Sequence, residues 1–62
     1  MSRTKKRWAV YQSISKTDYS AGFHEEPAGF VFAKDMREAA RVFTCVYIEE
    51  GHWAKIVLAD SD

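Results

Sequence analysis

A capped amphipathic pattern over residues 35–51 is the feature that most limits the folds open to this chain. Asp35 can accept a hydrogen bond from the first helical turn, and Glu38 follows three residues later, as in an Asp variant of the capping box. Apolar side chains then recur at helical spacing, at Met36, Ala39, Ala40, Phe43, Val46 and Tyr47. Gly51 suits the left-handed position that ends many helices. The pattern predicts one helix over about residues 36–49.

Three segments with strand chemistry surround this helix. The first, RWAVYQSIS at residues 7–15, is rich in aromatic and β-branched side chains, and the second is FVFA at residues 30–33. The third is HWAKIVLA at residues 52–59, bounded by Gly51 and Asp60. Between the first two strands, residues 16–29 carry two glycines and the only proline, which is typical of a long loop.

The order strand, strand, helix, strand limits the topology of the sheet. If the first two strands form an antiparallel pair, a right-handed crossover through the helix places the third strand on the other side of the first. We therefore predict an α+β fold, ββαβ, in which a three-stranded antiparallel sheet of order 2-1-3 packs on one α-helix. One sheet face is covered by the helix, and the other is open to solvent or to a partner.

The small size of the chain predicts one domain. With 62 residues, it is near the lower limit for independent folding, so we expect a basic tail over residues 1–6 and a single domain over residues 7–62.

Cys45 is the only cysteine, which excludes an internal disulfide and favours the cytoplasm. No apolar run approaches the ~20 residues of a membrane helix, so no membrane association is expected. Nine acidic and nine basic residues argue against a nucleic-acid mimic or a polycation.

The segment GFVFA followed by KDMREAARVF resembles the last signature of the RNA-recognition motif, in which alternate aromatic residues of a strand stack on bases. That resemblance implies that Phe30 and Phe32 face outward while Val31 and Ala33 face the helix. The leading basic residue and the second glycine of the motif are missing here. A core built on valine and alanine also buries little area, and each buried Phe contributes roughly 2–3 kcal/mol. We therefore predict that Phe30 and Phe32 lie in the core, with the base-stacking arrangement as the alternative.

No catalytic or metal-binding pattern stands out. A thiol nucleophile at Cys45 needs an imidazole, from His24 or His52, and an oxyanion site, but the predicted helix offers no glycine-rich turn beside it. A metal site could use His24, His52 and the carboxylates of Glu25 and Glu26, although the close Cys or His pairs of structural zinc sites are absent from the sequence. We expect no enzyme activity, no metal and no cofactor.

The layout resembles the small host-takeover proteins of bacteriophages. One such protein, from short-tailed phages, inhibits bacterial RNA polymerase and has the same succession of elements, which here read KKRWAV, FVFA, REAARVF, Tyr47 and Gly51. That family carries alternating arginines on its last strand for the polymerase contact, whereas Ile56 and Leu58 occupy the matching positions here. The resemblance implies an inhibitor of host RNA polymerase.

A second resemblance, in type rather than in motif, is to the small anti-CRISPR proteins of phages. They share the size, the α/β plan and the lack of enzymatic residues. The resemblance implies a phage-encoded inhibitor that acts in the cytoplasm of the bacterial host and blocks a CRISPR-Cas effector by occupying its surface. Because the arginines of the polymerase inhibitor are absent, we rank this function first, the polymerase inhibitor second, and a small single-stranded nucleic-acid-binding module third.

The predicted partner-binding residues lie mainly in the long loop. Tyr19 and Phe23 can anchor an interface, and the neighbouring Glu25 and Glu26 can steer it toward basic grooves that hold nucleic acid. Further acidic and aromatic residues follow the helix, namely Glu49, Glu50 and Trp53. The alternative is that Tyr19, Phe23 and Trp53 close a small second core.

The expected partner is a host protein complex, bound by a monomer. Arg3, Lys5, Lys6 and Arg7, beside Trp8, could touch phosphates, but so few charges give only weak, salt-sensitive attraction. Direct nucleic-acid binding is therefore not expected.

Overall fold

The computed structural model describes residues 5–59, and residues 1–4 of the predicted tail lie outside that range. Lys6, the last residue of the predicted tail, already begins the first strand. The elements in chain order are β1 (Lys6–Gln12), a first 3-10 turn (Tyr19–Ala21), β2 (Gly29–Ala33), α1 (Met36–Val42), a second 3-10 turn (Phe43–Cys45) and β3 (Ala54–Leu58).

The three strands form one antiparallel sheet of order β2-β1-β3, which confirms the predicted topology and the α+β class. Trp8 in the central strand pairs with Val31 of β2 on one side and with Leu58 of β3 on the other. Because directly paired residues of an antiparallel sheet point to the same side, this register determines which side chains share a face.

One side of the sheet, the helix face, carries the core. Trp8, Val10, Val31 and Ala33 are buried there together with Ala39 of α1. The indole Nε1 of Trp8 donates to the carbonyl oxygen of Ala33 at 2.9 Å, so the one polar atom of this large side chain is satisfied inside the core.

The prediction that Phe30 and Phe32 lie in the core is wrong. Both point away from the helix, with 47% and 63% of their surface exposed, whereas Val31 and Ala33 are buried. The physical reason is that Trp8 pairs with Val31 and fills the volume that the small β2 side chains leave. The core therefore does not need either phenylalanine.

The predicted start of the helix is confirmed. Asp35 Oδ1 accepts a hydrogen bond from the Glu38 amide at 2.8 Å, and Glu38 Oε1 accepts one from the Lys34 amide at 2.8 Å. The two side chains thus both satisfy amides at the helix entrance, although Glu38 bonds the amide of Lys34, one residue before the N-cap amide that a capping box uses. Within the described residues, no helix is long and apolar enough to cross a membrane.

The predicted end of the helix is wrong by about two turns. Regular α-helix ends at Val42, the 3-10 turn Phe43–Cys45 follows, and Val46 has extended backbone angles. Val42, Thr44, Val46 and Ile48 are β-branched, and such residues lose side-chain freedom in a helix and favour extended backbone.

Leaving the helix allows the segment after it to pack on the sheet. Val46 and Ile48 are partly buried against the core, and Val46 lies so close to Gly29 that a Cβ at that position would meet its Cγ1 at 2.8 Å. Of the apolar residues that recur at helical spacing, Phe43 is only half-buried and Tyr47 is 76% exposed. Gly51 has a φ of 91°, but it serves the turn before β3 rather than the helix end.

The long loop returns along the central strand. The amide of Ile14 donates to Gly22 O at 2.9 Å and the amide of His24 to Gln12 O at 3.1 Å, so this part of the loop continues the β2 side of the sheet. Ser13 and Phe23 form an isolated antiparallel bridge between these two bonds. The middle of the long loop is therefore hydrogen-bonded to the end of the central strand.

We expect adjacent substitutions in β2 to have opposite outcomes. Val31→Asn places an amide without a partner in the core, which costs about 3–5 kcal/mol from lost burial and desolvation. A domain of this size has about that much stability, so the variant should be unfolded at 25 °C. Phe32→Asn changes an exposed side chain and should lower the melting temperature by less than about 8 °C. Thermal melts followed by circular dichroism distinguish the two. An unfolded Phe32→Asn beside a folded Val31→Asn would contradict the described faces.

The helix cap should contribute measurably. Asp35→Ala removes the acceptor for the Glu38 amide and should cost about 1 kcal/mol, or about 4–8 °C in melting temperature. Arg37→Ala, an exposed change in the same helix, is the control and should leave the melting temperature within about 3 °C. Equal melting temperatures for Asp35→Ala and Arg37→Ala would argue against the cap.

Candidate functional site

The side of the sheet opposite α1, called here the open face, is aromatic and basic. Its side chains follow from the register and are Arg7, Ala9 and Tyr11 of β1, Phe30 and Phe32 of β2, and Lys55 and Val57 of β3. Two of these seven are cations, and none of these strand positions is acidic. The surface therefore combines exposed rings with positive charge.

Arg7 and Phe30 form one pair on this face. The guanidinium carbon of Arg7 lies 5.1 Å from the centroid of the Phe30 ring, within the range of a cation–π contact. Arg7 is also the direct cross-strand partner of Phe32. A cation thus lies beside the two exposed rings of the edge strand β2.

Lys55 forms a second such group. Its Nζ lies 5.2 Å from the ring centroid of Tyr11 and 5.2 Å from that of Phe23. The ammonium is exposed to solvent between one ring from the central strand and one from the loop. The loop ring comes to the sheet because Phe23 bridges to Ser13, which shares the open face with Tyr11.

Three aromatic residues predicted as partner-binding come together at one end of the open face, and we call them the aromatic corner: Tyr19, Phe23 and Trp53. The Tyr19 ring is edge-on to Phe23, with centroids 5.7 Å apart, and edge-on to Trp53, with centroids 5.2 Å apart. Tyr19 remains 60% exposed.

Ser13 of the central chain segment pairs with Phe23 on one side and with Trp53 on the other, and it holds the aromatic corner to the sheet. Its amide donates to Trp53 O at 2.9 Å, and its buried hydroxyl accepts from the Trp53 amide at 3.0 Å. The same hydroxyl donates to Ser15 O at 3.0 Å. The corner is therefore fixed by backbone contacts as well as by ring contacts.

The predicted acidic residues lie elsewhere. A shallow cleft, called here the acidic cleft, is lined by Gln12, His24, Glu26, Pro27, Ala28, Tyr47 and Glu49. The Glu49 amide donates to Gln12 Oε1 at 2.8 Å, and Gln12 belongs to the helix-face positions of β1. Glu25 is exposed in the loop, and Glu50 is exposed in the turn before Gly51.

The seven predicted site residues thus do not form one patch. The aromatic corner lies on the open face, whereas Glu26 and Glu49 line a cleft on the helix side. The interpretation of the corner as a small second core is only partly met, since its rings contact one another yet Tyr19 stays exposed.

Sequence reasoning missed Tyr11 and Lys55 of the open face. It weighed Phe30 and Phe32 only as an alternative, and Arg7 only as part of the basic tail. The signal was present in the parity of β1, because Arg7 and Tyr11 alternate with the core residues Trp8 and Val10. Because both phenylalanines were placed in the core, the open-face residues of β1 were not recognised as part of an aromatic surface.

The residues considered for catalysis or metal binding are dispersed. His24 is exposed at the acidic cleft, whereas His52 is half-buried, with Nδ1 at 3.9 Å from Glu49 Oε1. Cys45 ends the second 3-10 turn, not the middle of a helix. In the part of the chain that the structure describes, no group of three or more His, Cys, Asp or Glu side chains could hold a metal ion.

Comparison with known proteins identifies no family for this chain. A scan against protein-family models and searches of curated proteins and of solved structures found no match to this chain.

Proposed function

We propose that this protein is a non-enzymatic, phage-encoded inhibitor that blocks a nucleic-acid-handling complex of its bacterial host by occupying a surface of it. The observation that carries the proposal is the aromatic corner at the end of an uncovered sheet face. Exposed rings that are fixed in place are the usual anchors of protein interfaces, because they bury a large area with little loss of side-chain freedom.

The charge distribution supports a partner with basic surfaces. Glu25 and Glu26 follow Phe23 directly in the loop, and both are exposed. Glu26 and Glu49 together line the acidic cleft. Proteins that hold nucleic acid present basic grooves, to which such carboxylates can steer an inhibitor during encounter.

Among such complexes, we propose a CRISPR-Cas effector first and RNA polymerase second. The polymerase inhibitor of short-tailed phages needs alternating arginines on its last strand, and here Ile56 packs against the core while Leu58 is exposed on the helix side. Lys55 is the only cation of β3, and it faces the other way. These features favour a target other than the polymerase.

Capture from a bacterial lysate tests this function. The tagged protein should retain subunits of a CRISPR effector, identified by mass spectrometry, from a nuclease-treated lysate of a strain that expresses one. Tyr19→Ala with Trp53→Ala should reduce capture at least tenfold, as expected for loss of two interface anchors. The double reversal Glu25→Lys, Glu26→Lys should slow association more at low salt than at high salt.

The charge reversal has a matched control in Arg37→Glu, on the exposed surface of α1. It should leave capture unchanged, and the charge-reversal variants, which alter only exposed side chains, should keep the parent melting temperature within about 4 °C, while circular dichroism verifies that the aromatic double variant is folded. Recovery of RNA polymerase subunits instead would support the second target. Recovery of neither complex would count against the proposal.

The proposal also implies that inhibition does not need a catalytic group. A variant carrying Cys45→Ser, His24→Ala and His52→Ala should inhibit the captured complex to the same extent as the parent. The comparison is made at protein concentrations that saturate the target, with circular dichroism to verify folding. Loss of inhibition in a folded triple variant that is still captured would point to an enzyme.

A further inference from the structure

We infer that the open face binds single-stranded nucleic acid, with Phe30 and Phe32 stacking on bases and Arg7 and Lys55 contacting phosphates. This inference goes beyond the proposed function and does not require the host complex. It replaces the expectation from sequence that direct nucleic-acid binding does not occur, which considered only the few charges of the basic tail once both phenylalanines had been placed in the core.

The spacing of the two rings favours a single strand over a duplex. Phe30 and Phe32 are alternate residues of one strand, so their attachment points are about 6.6 Å apart. Stacked bases of a duplex repeat about every 3.4 Å along each strand. Two neighbouring bases can therefore lie on the two rings only after they have separated from each other, which an unpaired strand allows and a duplex resists.

The exposure of the rings is what stacking requires. Phe32 is 63% exposed and Phe30 47% exposed, and Ala9 lies beside Phe30 in the central strand. Ala9 is buried, so neighbouring side chains of the open face cover it, and a base would contact the exposed rings rather than the central strand.

The charges on this face complement a phosphate backbone. Arg7 lies at the Phe30 ring and Lys55 at the Tyr11 ring, so each cation adjoins an aromatic surface. Among the seven strand positions of the open face there is no carboxylate to repel phosphates. The acidic cleft opens on the helix side and does not interrupt the path across the sheet.

The face offers little to distinguish DNA from RNA. Ser13 could have contacted a 2′-hydroxyl, but its own hydroxyl already bonds the Trp53 amide and Ser15 O. Bases and phosphates are common to both polymers, so affinities for the two should agree within about threefold, in the absence of a sugar contact.

Fluorescence anisotropy with short oligonucleotides tests the inference. The probes are 5′-labelled 12-nucleotide oligo-dT and oligo-U, and a labelled 12-base-pair mixed-sequence DNA duplex. We expect both single strands to bind, and the duplex to bind at least tenfold more weakly. Phe30→Ala and Phe32→Ala should each weaken single-strand binding about tenfold, the usual range for loss of one base–aromatic stack.

Matched controls separate stacking from general surface effects. Tyr47→Ala removes an aromatic residue that is 76% exposed on the helix side, and it should leave oligonucleotide affinity unchanged. Phe30→Leu and Phe32→Leu keep an apolar side chain but no ring, and they should weaken binding as the alanine variants do. These leucine variants decide the question if either alanine variant does not fold.

The dependence of binding on salt tests the phosphate contacts. Two contacts to a single strand give a slope of about −1.4 for log K against log salt concentration. Arg7→Gln and Lys55→Gln should each lower the magnitude of that slope by about 0.7. The double reversal Glu25→Lys, Glu26→Lys affects the proposed protein interface, and oligonucleotide binding should survive it.

Three results would overturn the inference: no binding to either single strand at 100 µM protein, equal affinity for strand and duplex, or unchanged affinity in the folded leucine variants. The proposed function fails independently, through the lysate capture. If the Phe30 and Phe32 variants lose capture of a host protein in nuclease-treated lysate but keep oligonucleotide affinity, the open face is a protein-docking surface and not a nucleic-acid site.

Discussion

The packing of Trp8 in the centre of the sheet is the contact on which the rest of this small fold depends. Trp8 pairs with Val31 of one edge strand and with Leu58 of the other, and its Nε1 donates a hydrogen bond to Ala33 O. Because one residue supplies so much of the buried area, its neighbours can be as small as Ala33 and Ala39. Small neighbours suit a short helix, and the seven residues of α1 cover the helix face together with Val46 and Ile48 of the segment that follows.

Because Trp8 fills the core, other large aromatic residues have no space there. Phe30, Phe32 and Tyr19 all remain exposed in a chain that has little apolar surface to spare. Exposed aromatics lower solubility and add little to stability, so their presence on one uncovered face is better explained by binding than by folding. The aromatic corner proposed for the host protein adjoins the proposed nucleic-acid site on the open face, whereas the acidic cleft lies on the helix side.

Sequence reasoning succeeded where a local pattern decided the structure. Asp35 and Glu38 define the helix start through hydrogen bonds between near neighbours, and chain order with crossover handedness gave the strand order. Sequence reasoning failed where a residue far away in the sequence determined the structure. The orientation of Phe32 depends on the volume of Trp8, and the packing of the segment after α1 depends on Val46 reaching Gly29. For the candidate site, the aromatic corner could be anticipated from parity and loop composition, but the Lys55 contacts require the pairing register.

The central position of β1 also determines how the molecule can assemble during synthesis. β1 is made before both of its neighbours, and Trp8 pairs with Leu58 of the last strand. While β3 is still being synthesised, the central strand has one unsatisfied edge, and the sheet is a two-stranded pair of marginal stability. Pairing between residues so far apart in sequence is slow, so β1 and β2 form an open aromatic hairpin until β3 joins them. The solubility of that two-stranded intermediate therefore matters for folding, in addition to the stability of the finished domain.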